Sequence, residues 1–234
     1  MAILTQTAQR ICRTFAGLWT QDCLLCGAPS AERPLCTACE DDLPRLGRHC
    51  PRCALPTIGG EICGRCLRKA PFFDTADAVF TYSFPIDKLV QSFKYGQRLL
   101  LGEYFGHALA ELATNLAFDR IIPLPLHPSR LRQRGFNQAL ELARPISRLS
   151  ATIIDTDSCR RCRATAAQAE LPWRARAANV RGAFDCRADL NGQRLLLVDD
   201  VLTTGASLNE LARVVKLHGA SAVSVLVLAR ALPR

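Results

Sequence analysis

One stretch of this chain leaves little freedom in what it can fold into: Leu195–Ser207, LLLVDDVLTTGAS. Leu195, Leu196, Leu197 and Val198 form an apolar run too short for a helix, with the composition of a buried strand in a parallel sheet. Asp199 and Asp200 follow at its carboxyl end. After Val201 and Leu202 comes a loop of small and hydroxyl residues, Thr203, Thr204, Gly205, Ala206 and Ser207. Leu208, Leu211, Val214, Val215 and Leu217 then recur at helical spacing. Open α/β sheets bind ligands beyond the carboxyl ends of their strands, where this loop must lie. Backbone N–H groups and hydroxyls at a helix N-terminus suit a phosphate. The two acids are acceptors, suited to sugar hydroxyls or to the water shell of a metal ion.

A plain helix cap needs one acid and no Thr-Thr-Gly run. A Walker A loop would need Gly-Lys-Ser or Gly-Lys-Thr, which does not follow. All thirteen positions resemble instead the phosphoribosyl pyrophosphate (PRPP) motif of type I phosphoribosyltransferases. That resemblance implies an α/β fold with a parallel sheet flanked by helices. It also implies PRPP with Mg²⁺ as ligand, bound by Asp199, Asp200, Val201, Thr203, Thr204, Gly205, Ala206 and Ser207.

Nine of the twelve cysteines lie in the first 66 residues. Eight make four CxxC pairs: Cys23/Cys26, Cys36/Cys39, Cys50/Cys53 and Cys63/Cys66. Two such knuckles complete a tetrahedral Cys₄ zinc site, so two Zn²⁺ sites are expected. Pairing is sequential or interleaved, and sequential pairing gives closed short-loop units. With four Cys ligands neither site keeps a position open for catalysis. A segment with so few large apolar residues needs such staples to fold. A disulfide framework would need an oxidising compartment, and no signal peptide is expected, since Arg10 and Arg13 interrupt the apolar residues near the N-terminus. Residues 1–21 predict an amphipathic helix instead. Cys159 and Cys162 form a fifth CxxC with no partner pair near it in sequence, and Cys186 lies well downstream.

With 49% hydrophobic and 22% charged residues the chain is globular, and it has no apolar run of the ~18 residues a membrane span requires. The net charge of +9 is uneven. From Arg120 to Arg187 there are thirteen Arg, no Lys and five acids, a net +8. Guanidinium forks suit phosphates, so this region is expected to face a polyanion, either pyrophosphate or nucleic acid. Two parts of it stand out. His127–Gln138 reads as a basic loop ahead of a helix over 137–149, a second anion site. Cys159–Asn179 reads as an aperiodic stretch, and such stretches are often lids. Arg161, Arg163, Gln168, Arg174, Arg176 and Asn179 would close over the ligand. Phe136, Trp173 and Phe184, with Tyr82 and Tyr95 farther off, are the aromatics available to stack on single strands, Trp173 foremost.

Strands are further expected over 76–84, 120–126, 183–186 and 222–228, with helices over 86–95 and 100–115. The pieces together resemble the competence protein F (ComF) family of phosphoribosyltransferase-like proteins. The residues that carry the resemblance are the four CxxC pairs, Phe93-Lys94-Tyr95, Pro123-Leu-Pro125, Arg134-Gly-Phe-Asn-Gln138, Arg161, Arg163, Gln168, Arg176, Asn179, Gly182-Ala-Phe184 and the PRPP motif. The resemblance implies a double zinc ribbon over 22–70 and a phosphoribosyltransferase-like domain over 71–234. It implies a cytoplasmic protein, or one peripheral at the inner membrane face, that works in DNA uptake or DNA utilisation. Single-stranded DNA and uptake or recombination proteins are the implied partners. If the domain is an enzyme, Asp199, Asp200, Lys94 and Arg134 are its catalytic residues and Gly135 joins the PRPP site. The alternative is a committed phosphoribosyltransferase acting on an unidentified base or amine.

Overall fold

The computed structural model describes residues 21–96, 98–164 and 180–233 and divides into two compact units, residues 1–43 and 44–234. The helix expected over 1–21, Gln21 apart, and Gln168, Trp173, Arg174, Arg176 and Asn179 lie outside the described residues.

In the first unit the Cys23–Cys26 and Cys36–Cys39 knuckles face each other, the second running into the short helix α1 (Thr37–Asp41). Ser30 ties this small unit together, its single hydroxyl hydrogen shared between the carbonyls of Gln21 at 2.8 Å and Arg33 at 2.6 Å.

The second unit opens with the other two knuckles and helix α2 (Gly64–Arg68). It continues β1 (Thr75–Thr81), α3 (Ile86–Tyr95), α4 (Leu99–Ala113), β2 (Arg120–Pro123), α5 (Pro128–Arg134) and α6 (Gln138–Ser150). It closes with β3 (Cys159–Arg161), β4 (Phe184–Cys186), β5 (Arg194–Leu202), α7 (Ala206–Leu217) and β6 (Ala222–Arg230). Four strands form one parallel sheet in the order β1-β6-β5-β2, while β3 and β4 make a separate antiparallel ribbon.

This is the expected parallel sheet flanked by helices. Leu195 to Val198 are at most 1% exposed, so both faces of β5 are covered. Leu195 and Leu197 join Val223, Val225 and Val227 of β6 and Leu208, Leu211 and Val215 of α7 in one core. Alternation turns Leu196 and Val198 to the opposite face.

Several boundaries differ from the sequence reading. β5 runs on through both acids to Leu202, because its ladder with β6 continues to Asp199–Val227 and Leu202–Arg230. The 127–138 segment is not a loop: it holds α5. Pro128 sits at the first helical position, His127 Nδ1 accepts from Ser129 N at 3.3 Å, and Gly135 (φ +84°) ends the helix by donating to Leu131 O. The 159–179 stretch is not wholly aperiodic either. It begins as β3, which places Cys159 directly across from Cys186, residues far apart in sequence.

Helices α4 and α6 approach closely because α4 presents Gly102 and Gly106. A Cβ at Gly106 would lie 2.4 Å from Pro145 Cγ, in the middle of α6, and 3.0 Å from Leu142 O. Gly→Ala in an exposed helix gains about 1 kcal/mol, but overpacking a core contact costs about 1–3 kcal/mol. Here the clash partners are a ring and a backbone oxygen, so the cost wins. Gly106→Ala is expected to lower the urea midpoint, and a raised midpoint would mean the two helices are not held this close.

Candidate functional site

The two acids end a strand that is covered on both faces, and neither has free access to water: Asp199 is 9% exposed and Asp200 4%. Burial pushes the Asp199 carboxyl up to about 7, with the adjacent Asp200 adding to the rise; Lys94, the Asp200 N–H and Arg161 oppose it. The N–H of Asp200 donates to Asp199 Oδ1 at 2.8 Å. Because successive strand residues point to opposite faces, the two acids meet different partners. Lys94, in the last turn of α3, places Nζ 2.7 Å from Asp200 Oδ2. Burial alone would lower the Lys94 pKa, but the Asp200 pair outweighs it and the net shift is upward. Arg161, on β3, is held below its ordinary range by burial, with Asp199 working the other way.

Arg134 joins this group, close enough for its charge to act against that of Lys94. Its guanidinium lies 5.4 Å from the ring centroid of Tyr95, which is 72% exposed, and Nη1 donates to Gln138 Oε1 at 2.5 Å. Phe93 anchors the same corner, its ring 5.5 Å from that of Phe136. Asp199, Asp200, Lys94, Arg134 and Arg161 thus converge from α3, α5, β3 and β5. Arg163 donates to the Arg181 carbonyl at 2.7 Å. Phe184 is buried in the core beneath Arg161 and offers no stacking face.

Beyond the acids, Thr203 and Thr204 lead to Gly205, whose φ of +80° only glycine adopts cheaply. Ala206 then starts α7, its N–H donating to Thr204 Oγ1 at 3.2 Å. The result is a tight turn into a helix N-terminus beside a pair of acids, geometry suited to a phosphorylated sugar.

Not all of the arginine excess faces this site. Arg120 pairs with Asp155 at 2.7 Å, Arg144 with Glu141 at 3.1 Å and Arg160 with Asp185 at 3.0 Å, and Arg148 pairs with Glu103. Three of these pairs use acids counted within 120–187, and Glu103 lies outside that region. Three residues were not expected at this site. Tyr82, half-buried after β1, lies within the fields of Lys94 and Asp200. Arg65 and Arg230 touch the Thr203–Thr204 loop. Arg230 had a visible signal, a charge closing the apolar run VSVLVLA.

The cysteines group sequentially: Cys23, Cys26, Cys36 and Cys39 in the first unit, Cys50, Cys53, Cys63 and Cys66 in the second. Ligand atoms within each group lie within 4.8 Å of one another. A tetrahedron with Zn–S of about 2.3 Å has S···S edges of about 3.8 Å. Cys26 and Cys36 sulfurs are 3.7 Å apart, and Cys53 and Cys63 sulfurs 3.6 Å. Both groups therefore fit zinc. In the first, burial opposes a thiolate at Cys23, but backbone N–H groups of Cys26, Cys36 and Leu25 outweigh it and bring the pKa to about 6. Cys39, against Cys26, is pushed up to about 12. Four thiolates this close need a cation. Elemental analysis should find about two zinc ions per chain, falling to about one in Cys66→Ser. No loss in that variant would remove the assignment.

A pH dependence follows from Asp199. Its folded pKa of about 7 lies above the ordinary 3.8, so the folded chain holds a proton the unfolded chain has released. That contribution to stability is complete below the unfolded value and is lost as pH rises toward and through 7, an effect on the order of a few kcal/mol. Urea midpoints should fall between pH 5.5 and 8, and Asp199→Asn should flatten the fall. An equal slope in the variant would assign the dependence elsewhere.

Residues 15–67 match the double zinc ribbon domain and residues 167–233 the phosphoribosyl transferase domain. The chain is 34% identical over 220 residues to the DNA utilization protein YhgH of Escherichia coli, covering 90% of this chain and 97% of that protein. It is 30% identical to competence protein F of Haemophilus influenzae, covering 86% and 92%. It is 26% identical to competence protein ComFC of Streptococcus pneumoniae, covering 84% and 87%. With zinc-fitting Cys₄ groups, a phosphoribosyltransferase-like sheet and relatives matched along nearly their whole length, this chain belongs to the family of competence protein F and YhgH.

Proposed function

We propose that this chain works in DNA uptake or DNA utilisation, binding PRPP with Mg²⁺ at the end of β5 and single-stranded DNA on its basic surface. The observation that carries the PRPP reading is the buried Asp199–Asp200 pair beside the Thr203–Gly205 turn, with Lys94 2.7 Å from Asp200. Asp199 and Asp200 hold the ribose hydroxyls. Thr203, Thr204, Gly205, Ala206 and Ser207, following Val201, receive the 5′-phosphate. Lys94, Arg134 and Gly135 face the pyrophosphate; of the residues expected to close over the ligand, Arg161 acts on Asp199, while Gln168, Arg176 and Asn179 lie outside the described residues. Mg²⁺, if bound with PRPP beside Asp199 and Asp200, would supply positive charge to offset that of the pyrophosphate. The DNA reading is supported by the relatives' names, the Arg excess and the exposed Tyr95 under Arg134, a surface on which a base can stack. No helix among the described residues is long and apolar enough to cross a membrane.

The second reading is turnover: transfer of ribose 5-phosphate from PRPP to a base or amine, with pyrophosphate leaving. Lys94 and Arg134 favour it, since their charges would stabilise the departing pyrophosphate by electrostatics and positioning. Pyrophosphate release in the presence of candidate acceptors separates it from binding alone.

PRPP with Mg²⁺ at about 100 times its dissociation constant stabilises by about 2.7 kcal/mol, or roughly 5–10 °C for a chain of this size. That shift should appear in the zinc-loaded protein and vanish in Asp199→Asn and Asp200→Asn. Equal shifts in all three proteins would sink the site. Affinity for a single-stranded oligonucleotide should fall steeply with salt; weak binding indifferent to salt would sink the DNA reading.

A further inference from the structure

Arg230 closes β6 at the centre of the second unit, paired in register with Leu202 of β5 and Thr81 of β1. It is 1% exposed, among the largest fully buried side chains. Burying a guanidinium is expensive unless its donors are satisfied and its charge compensated. Three of its five donors go to backbone carbonyls. Nε donates to Cys53 O at 2.8 Å, and the two Nη1 hydrogens are shared among Leu202 O and Thr203 O at 2.5 Å each and Ala231 O at 2.6 Å. One side chain therefore spans a knuckle of the second Cys₄ group and the first residues of the phosphate loop. A Zn²⁺ held by four thiolates carries a net charge of about −2, which gives the buried cation its counter-charge. Arg65 makes a second tie. It sits on α2 between Cys63 and Cys66, and Nη2 reaches Thr204 O at 3.2 Å.

The carbonyls of Leu202, Thr203 and Thr204, three in succession, are thus drawn toward arginines fixed on or against the Cys₄ group. In a planar trans peptide the C=O of one residue and the N–H of the next point in opposite directions. The N–H groups of Thr203, Thr204 and Gly205 consequently turn away from the knuckle, in the sense that forms an anion-binding nest. The segment after the knuckle supports the same turn. Phe73 lies 4.0 Å from where a Gly205 Cβ would stand, and the Phe72 N–H donates to Asn209 Oδ1, on α7, at 2.7 Å.

We propose that Arg230, with Arg65, is a positioning residue that couples the second Cys₄ zinc group to the phosphate loop, so that zinc occupancy and anion binding support each other. The coupling rests on the PRPP reading for the identity of its ligand, but the tie between knuckle and loop is tested without any ligand. By linkage, whatever zinc does for the anion, the anion does for zinc.

The test uses the full-length, zinc-loaded protein. Arg230→Lys keeps the charge but cannot span both partners. In this variant, amides of residues 201–207 should exchange hydrogen at least about tenfold faster, while those of Leu195–Val198 hold. PRPP–Mg²⁺ should bind at least about tenfold more weakly, and a chromogenic chelator should extract one of the two zinc ions several-fold faster. In the unaltered protein, PRPP–Mg²⁺ should slow extraction of that ion. If Arg230→Lys folds, by circular dichroism, and exchange over 201–207 is unchanged, the coupling is wrong. If Arg230→Lys does not fold, Arg65→Ala carries the test. Faster exchange at 204–206 supports the coupling, and unchanged exchange overturns it. If the unaltered protein fails to bind PRPP yet the exchange effect appears, the coupling stands and the PRPP reading falls.

Discussion

Two adjacent carboxyl groups at the end of a doubly covered strand set the terms for everything around them. Their water is largely gone, so neither charge is stable alone and each must be answered from its own face of the sheet. Lys94 answers Asp200 at 2.7 Å. Asp199 receives the Asp200 N–H and feels the charges of Lys94 and Arg161, yet burial and the adjacent Asp200 still push its pKa up to about 7. The two carboxyls are therefore not equivalent, although the sequence presents them as a matched pair. Helix α3 must end where it does for Lys94 to reach, and β3 must lie where it does for Arg161 to be felt.

Arginine does two kinds of work in this chain, and burial tells them apart. Half-exposed arginines such as Arg144 and Arg160 pair with nearby acids in contacts worth about 0–1 kcal/mol each. Arg230 is of the other kind. Removed from water and bonded to carbonyls from the knuckle, β5, the loop and its own strand end, it has no cheap alternative position. The chain divides into compact units between the two Cys₄ groups, so the second group shares a unit with the sheet. A zinc site built into a domain in this way shapes its neighbours, whereas an appended ribbon would merely hold itself together.

Much of this was legible beforehand, and the reasons differ from element to element. The CxxC pairs are local: spacing determines which thiols can share a metal, and sequential grouping follows from short loops. The β5 motif is local as well, since an apolar run, two acids, a Gly turn and a helical period lie within one stretch. Legibility failed where local composition disguised structure. Three arginines made α5 look like loop, although Pro128 and Gly135 marked its two ends. An aperiodic region concealed β3, because its partner β4 lies more than twenty residues downstream. Phe184 was read as a stacking aromatic because it stands among arginines, yet its strand turns it into the core.

By itself the sequence determined the chemistry on offer: two four-thiol metal groups, a phosphate turn with paired acids, and an excess of guanidinium. Those depend on residue type and short spacing, which the chain carries openly. Only the tertiary structure decided which charges meet. Lys94 finds Asp200 and Arg230 finds Cys53 across more than a hundred residues of chain, because parallel strands bring distant segments together at one end of the sheet. The pKa of Asp199 was likewise decided by folding, since a carboxyl is displaced that far only when its water is replaced by protein.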